Sequence, residues 1–425
     1  MNNRYDVIVI GSGPAGLAAA IEAKKNKAKR VLLLERDKEL GGILPQCIHN
    51  GFGSVIFKKD YPGPYYAQKF IDQVFNLNIE VLMDTMVLDI TSSKKVYASS
   101  CDHGYMELHA KSIVLAMGCR ERTRAQIRLP GTRPVGVFTA GTVQRLVNIE
   151  GYIPGNKFVI LGSGDIGMIM ARRLTLEGAK VERVIEIMPF LTGLKRNYVQ
   201  CILDFDIKLV LQYTIKRIIG NNRLEAVEIV KVDRSLNLIK GTEEIIKCDT
   251  LLLSVGLIPE NELSKKAQVD LDQVAGGPIV DERMETNSNG IFAAGNVVCI
   301  HDLVDYVTME GYIAGENAAF FARDKYKENK HKINLICGDN VHNIIPYKLN
   351  YNLIKYKDIM LQLRVNKPFE KKIMIELVEG KKIVYSRMEN YSRPAEMITL
   401  NIKGGDLYKK VSVDCKEIMI RVVDK

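Results

Sequence analysis

Residues 5–16 read Tyr5-Asp6-Val7-Ile8-Val9-Ile10-Gly11-Ser12-Gly13-Pro14-Ala15-Gly16, and an alanine-rich stretch from Leu17 to Lys25 follows. A β-branched apolar run, a cluster of glycines and a helix-forming stretch in that order spell strand, tight turn, helix. The glycines let the backbone turn sharply and approach a pyrophosphate, and the helix start offers unpaired N–H groups and the positive end of its dipole. A second apolar run, Val31 to Leu34, ends in Glu35, at the offset of roughly 20 residues where a carboxylate can take ribose hydroxyls. Gly11, Gly13, Pro14, Ala15, Gly16, Glu35 and the adjoining Arg36, Gly41 and Gly42 are therefore the candidate residues of a first dinucleotide site.

The same arrangement returns about 150 residues later. Phe158 to Leu161 leads into Gly162-Ser163-Gly164-Asp165-Ile166-Gly167, then a helical stretch, then Val181 to Ile187 bearing Glu186. Two such units in one chain predict two nucleotides, one passing electrons to the other. Glu186 would accept from a ribose 2′-hydroxyl and repel a 2′-phosphate, which favours NAD(H) over NADP(H), although Lys195 and Arg196 follow closely enough to fold back.

Composition narrows the class. A chain of 425 residues that is 47% hydrophobic and 26% charged is long and apolar enough for several folded domains. No segment offers about 18 uninterrupted apolar residues, so no membrane span is expected, and the absence of a leader pattern suggests a cytoplasmic protein. The net charge of +10 comes without a basic block interleaved with aromatics, so no nucleic-acid partner is expected. Eight cysteines show neither CxxC nor metal-type spacing to histidine, so they are expected as reduced thiols with no metal.

With these motifs in view, the chain resembles the pyridine-nucleotide flavin oxidoreductases, the superfamily of thioredoxin reductase and glutathione reductase, over roughly residues 1–325. The segment with Ala116, Met117 and Gly118 looks like the motif joining the two domains, and that with Val255, Gly256 and Pro259 looks like its counterpart leaving the second. Residues 286–296 are similar to the family's last flavin motif, except that Asn296 after Gly295 stands where the family has an acid for the ribityl chain. The resemblance implies FAD at the first site, with Ala116, Gly118, Gly295, Asn296, Tyr306 and Val307 added to it. It implies NAD(H) as co-substrate at the second, on Gly162, Gly164, Asp165, Ile166, Gly167, Glu186 and Gly256. Asp305 is expected to cap a helix beginning near Tyr306.

The implied fold is α/β: two Rossmann-like domains, the NAD domain (124–284) inserted in an FAD domain (1–123 and 285–330), plus a small C-terminal β domain. Residues 331–425 alternate polar and apolar in runs such as IMLQLRV, KIMIELV, KIVYSRM, MITLNI and EIMIRVV, broken by Asn-Lys-Pro, Glu-Gly and Gly-Gly. They carry 18 Lys+Arg against 11 Asp+Glu, which suits either a docking face for a partner or a brace on the FAD domain.

Disulfide reductases of this superfamily need two sulfurs. Here Cys47 stands alone in Gly41-Gly42-Ile43-Leu44-Pro45-Gln46-Cys47-Ile48-His49, and Thr139-Ala140-Gly141-Thr142 replaces the other dithiol position. Cys47 and His49 are the candidate catalytic residues, with packing as the alternative. His301 and Asp302 either face the flavin or a partner channel, or serve structurally. GGILPQCIHNGFG and HDLVDYV look most like the alpha-type subunits of dye-linked proline dehydrogenase, opine oxidase and hydrogen cyanide synthase, and like chains associated with glycerol-3-phosphate dehydrogenase. That group implies an FAD-dependent NAD(P)H oxidoreductase working as an electron-transfer subunit beside a second flavoprotein or small redox subunit, with oligomerisation open. The alternatives are a single-cysteine NADH oxidase, peroxidase or persulfide reductase using Cys47, and a flavin-binding scaffold or NADH sensor without turnover.

Overall fold

The computed structural model describes residues 3–325 and 331–424; the boundary expected at residue 330 lies outside the described residues. Two compact units are present, Met1–Pro45 with Asn50–Cys119 and Pro259–Lys425, and Gln46–His49 with Arg120–Ile258.

In the first unit the glycine-turn strand Arg4–Ile10 lies between Val31–Leu34 and Gly104–Leu115, with Glu80–Leu82 beyond Val31–Leu34, all parallel. The N-terminal half of Gly104–Leu115 carries the antiparallel strands Lys95–Ser100 and Thr85–Ile90, and its C-terminal half pairs with Ile291–Ala293. Val7, Ile8, Val9, Leu32, Leu33, Ile113 and Val114 are wholly buried, as strands covered on both faces require.

One cover is the pair of helices Pro14–Lys25 and Val304–Ala322. Their backbones meet at small residues: a Cβ on Gly311 would overlap the main chain of Ala15, and one on Gly315 the main chain of Ala19.

The C-terminal strands belong to this same unit. They form a five-stranded sheet in the order Lys348–Asn350, Lys332–Cys337, Glu417–Asp424, Ile373–Glu379, Lys382–Glu389, and a three-stranded sheet in the order Val341–Ile345, Ile359–Val365, Ile398–Ile402. Leu361, Leu363, Ile373, Ile375, Leu400, Ile418 and Ile420 share a core of their own. The Gly-Gly pair expected as a break instead begins a helix, Gly404–Lys410, because Gly404 packs where a Cβ would overlap the carbonyls of Ile354 and Lys357. The strands between Lys332 and Asn350, not expected from sequence, tie this region to residues 280–282: Tyr347 N–H donates to the Val280 carbonyl at 2.9 Å, and Asn350 Nδ2 to Glu282 at 2.7 Å. Burial, then the neighbouring Asp281, pushes the Glu282 carboxyl up to about 7.

The second unit repeats the parallel plan, in the order Val137–Thr139, Thr250–Leu253, Lys157–Leu161, Lys180–Glu186, Leu209–Leu211. Beside it stands the antiparallel sheet Tyr213–Gly220, Leu224–Lys231, Glu244–Lys247. Residues 259–284, expected with this unit, lie in the first, where Ala267, Val269, Val280 and Met284 join the core of Val7 and Ile8.

Gly315→Val should lower stability by about 2–3 kcal/mol, since overpacking between backbones cannot be relieved by a rotamer change. Thermal unfolding against wild type measures it, and an unchanged midpoint would refute the close contact.

Candidate functional site

The two glycine turns are built alike. Gly11 has φ +97° and Gly162 φ +103°; a Cβ on the first would overlap the Ala116 carbonyl and on the second the Ser254 carbonyl, so the protein itself demands glycine at both. The middle glycines differ. Gly13 (φ −65°, ψ −178°) and Gly164 (φ −64°, ψ 163°) have backbone conformations open to any residue. A Cβ on Gly13 would meet nothing within 4 Å, and one on Gly164 would make only ordinary contacts with Ser254. Nothing in the protein bars a side chain from these two positions, and the open space there fits a pyrophosphate on the start of each helix.

Each turn also holds its acid through its serine. Glu35 accepts from Ser12 N–H at 2.8 Å, Ser12 Oγ at 2.6 Å and Asp37 N–H at 2.8 Å. Glu186 accepts from Ser163 N–H at 2.9 Å, Ser163 Oγ at 2.6 Å, Met188 N–H at 2.9 Å and Thr192 Oγ1 at 2.9 Å. Both carboxylates are buried, 6% and 3% exposed, and fixed at the ends of their strands. Reading the glycines alone misses Ser12 and Ser163, although the shared G-S-G pattern is the signal that shows them.

Around the first turn, Gly41 N–H donates to the Ser12 carbonyl at 3.0 Å and folds residues 36–42 back over it, leaving Arg36 and Gly42 exposed. Gly295 meets Ala15: a Cβ there would come within 2.9 Å of the Ala15 and Val307 side chains. Gly118 (φ +69°) stands in open space. Asn296 is half-buried, its Oδ1 accepting the His301 backbone N–H at 3.0 Å. Half-buried Tyr306 and buried Val307 lie in the first turn of Val304–Ala322.

Asp305 is not the cap expected of it. Helix formation already begins at Val304, and the Asp305 carboxylate, fully buried, accepts instead from Gly53 N–H at 3.1 Å and Ile56 N–H at 2.8 Å, holding the 53–56 loop against the helix start. Nor do His301 and Asp302 line an open channel. Their side chains are 0% and 6% exposed, and Arg364 lies 3.4 Å from Asp302.

Around the second turn, Asp165 turns its carboxylate to Leu194 N–H at 2.8 Å and Asn197 Nδ2 at 2.6 Å. Ile166 is half-buried and Gly167 is buried. Gly256 (φ +98°) accepts from Arg122 N–H at 3.0 Å. Lys195 and Arg196 sit exposed on the short helix Lys195–Tyr198.

Cys47 is buried with its Sγ 3.9 Å from Gln144 Oε1, and burial pushes the thiol up to about 12. Gln46 Nε2 donates to Gln144 Oε1 at 2.9 Å and to the Gly141 carbonyl at 3.1 Å, which pins this segment to the helix Ala140–Asn148. His49 is half-buried. Where the other dithiol would stand, the Thr139 and Thr142 hydroxyls share a hydrogen bond of 2.8 Å. Among the described residues no group of His, Cys, Asp or Glu is arranged to hold a metal, and no helix is long and apolar enough to cross a membrane.

Comparison with known proteins agrees with this geometry. Residues 5–312 match the family model described as pyridine nucleotide-disulphide oxidoreductase. An opine oxidase subunit from Agrobacterium tumefaciens is 26% identical over 325 residues, 70% of this chain; the chain spans only 62% of that protein's length. Thioredoxin reductase of Peptoclostridium acidaminophilum is 27% identical over 338 residues, covering 77% of this chain and all of that one. In fold, the crystal structure of Lactococcus lactis thioredoxin reductase superposes with a TM-score of 0.62 at 23% identity, covering 75% of this chain and 99% of that one.

Gly13→Val should abolish flavin binding while leaving the apoprotein folded, because a Cβ there meets no protein atom within 4 Å and the backbone conformation accepts any residue. Flavin absorbance after desalting, with circular dichroism of the same sample, checks both halves. Full flavin content, or an unfolded variant, would contradict the assignment.

Proposed function

The chain belongs to the pyridine nucleotide-disulphide oxidoreductase family, and from that premise we propose that it is an electron-transfer subunit, passing electrons between NADH and a partner flavoprotein dehydrogenase that oxidises an amine or a glycerol-3-phosphate-like substrate. As an FAD-dependent NAD(P)H oxidoreductase it has a cofactor that supplies a hydride acceptor and releases electrons onward. The chain's own residues bind, orient and exclude water.

The observation that carries the proposal is the state of the two dithiol positions. One holds Cys47 alone, its thiol driven out of the ionising range by burial; the other holds two threonines bonded to each other. Dithiol exchange needs two sulfurs, which neither position holds, and burial disfavours the Cys47 thiolate that sulfenate or persulfide chemistry would use. Electrons arriving at the flavin then need an acceptor outside this chain. The similarity to a protein named as part of an oxidase of several chains fits that need.

In this proposal Gly11, Gly13, Ala15, Gly16 and Glu35 hold the FAD pyrophosphate and ribose, with Gly295, Asn296 and the first turn at Tyr306 and Val307 completing the site. Gly162, Gly164, Ile166, Gly167 and Glu186 hold NADH. The Glu186 carboxylate, fixed by four donors, is set to accept from a ribose 2′-hydroxyl, and a 2′-phosphate would meet its negative charge.

Cys47→Ser should retain NADH-to-dye turnover within about twofold; complete loss would return the function to thiol chemistry. Glu186→Arg should cost NADH on the order of 1–3 kcal/mol in kcat/KM and improve use of NADPH. Steady-state kinetics with both nucleotides decides, and a wild-type preference for NADPH would overturn the assignment.

A further inference from the structure

Directly behind the Gly295–Asn296 turn lies a buried ion pair. His301 Nε2 is 2.9 Å from Glu310 Oε1, and both side chains are 0% exposed. The other oxygen, Glu310 Oε2, accepts the Gly295 N–H at 2.7 Å, and the His301 backbone N–H donates to Asn296 Oδ1 at 3.0 Å. The pair is thus fastened to both residues of the turn.

The protonation of His301 follows from its neighbours. Its Nδ1 lies 2.8 Å from the Cys299 carbonyl oxygen, and its Nε2 faces the Glu310 carboxylate and, at 3.3 Å, Gln362 Oε1. Every one of these atoms accepts. A neutral imidazole would leave one ring nitrogen with its lone pair against an acceptor, whereas the imidazolium donates from both. The charge has a second use, because Glu310 Oε1 receives no well-aligned hydrogen bond and would otherwise be a buried, uncompensated carboxylate oxygen.

Beyond His301 the contacts continue into the C-terminal strands. Gln362 and Arg364 lie on Ile359–Val365, and Arg364 donates to the Ile300 carbonyl at 3.1 Å and to Asp302. Asn343, on Val341–Ile345, donates to Cys299 Sγ at 3.0 Å. Polar side chains are unusual at buried strand positions such as those of Gln362 and Asn343, and with half-buried Arg364 they converge on residues 299–302.

We propose that His301, as the imidazolium, is a positioning residue for FAD: through Glu310 it holds the Gly295–Asn296 turn in its flavin-binding shape, and through Gln362 it fastens that turn to the C-terminal sheet. This rests on the assignment of Gly295 and Asn296 to the flavin. The charged groups around the ring are Glu310 from the helix, Arg364 from the strand and Asp302 next in the chain; the Cys299 thiol, pushed up to about 11 by burial, stays neutral. Burial alone would lower the His301 pKa, but Glu310 outweighs it and the net direction is upward. A group raised on folding stabilises below its unfolded pKa and loses that contribution as pH rises through the folded pKa, so the turn that His301 fastens, and with it the flavin that depends on its shape, should be held most firmly on the acid side.

The test is FAD retention, read as bound flavin after dialysis of the full-length holoprotein and as the Kd for rebinding FAD, in His301→Gln, Glu310→Gln and the double variant, between pH 6 and 9.5. His301→Gln strands the carboxylate and should weaken FAD by at least about tenfold. The double variant, a neutral amide pair able to keep the Gly295 N–H bonded, should recover most of that loss, which a merely steric role for the ring would not allow. Wild-type retention should fall as pH rises, and the double variant should show a flatter profile. If His301→Gln does not fold, the double variant and the wild-type pH profile still decide. A double variant no better than the single, or wild-type retention independent of pH over that range, overturns the proposal. Asn296→Leu separates it from the assignment beneath it: retention of FAD there removes the site itself, whereas loss of FAD there with normal retention in His301→Gln removes only the role of His301.

Discussion

The first unit depends on one contact, the approach of Val304–Ala322 to Pro14–Lys25 at Gly311 and Gly315 over Ala15 and Ala19. The two helices are separated by nearly 300 residues of chain, which include the whole of the second unit. Joining the ends of so long a segment costs on the order of 5 kcal/mol in chain entropy. The helices offset it by bringing backbones together with no side chain between them, so that dispersion acts over a continuous small-residue seam. The first turn of Val304–Ala322 and the Gly295–Asn296 turn then reach Ala15, at the head of the first glycine helix. Without this seam the first glycine turn would have no partner from the far end of the chain.

Within each unit the same local solution appears. The first glycine is demanded by φ and by a neighbouring carbonyl, the middle one by nothing in the protein, and the serine between them locks a carboxylate at the end of the next strand. The serine hydroxyl and N–H, with a further backbone donor, hold each acid rigid, as the proposed acceptance from a ribose would need. A carboxylate that had to find its rotamer on binding would give up side-chain entropy at that moment.

Most of this was legible from sequence because it is local. Strand, glycine turn, helix and acid follow one another within a few dozen residues, and five of the C-terminal strands match their alternating runs to within a residue or two at each end. What escaped is long-range or sterically particular. Gly404 looks like a break but is small because two carbonyls crowd it. Asp305 has the residue type of a cap, yet its partners lie some 250 positions earlier, at Gly53 and Ile56. His301 and Glu310 are nine residues apart across a helix start, with nothing in their spacing to announce a pair, and Gln362 and Arg364 read only as the polar half of an alternating strand.

The asparagine at 296 takes on a different meaning beside that pair. Its amide oxygen already serves the His301 N–H, and the carboxylate of this neighbourhood sits at Glu310, holding Gly295 from behind. An aspartate at 296 would place a further negative charge on the same turn, beside Glu310 and Asp302, with His301 and Arg364 as the neighbouring cations. Like charges close together raise one another's pKa. Asn296 keeps the turn's acceptor for the His301 N–H without adding that charge beside the Glu310–His301 pair.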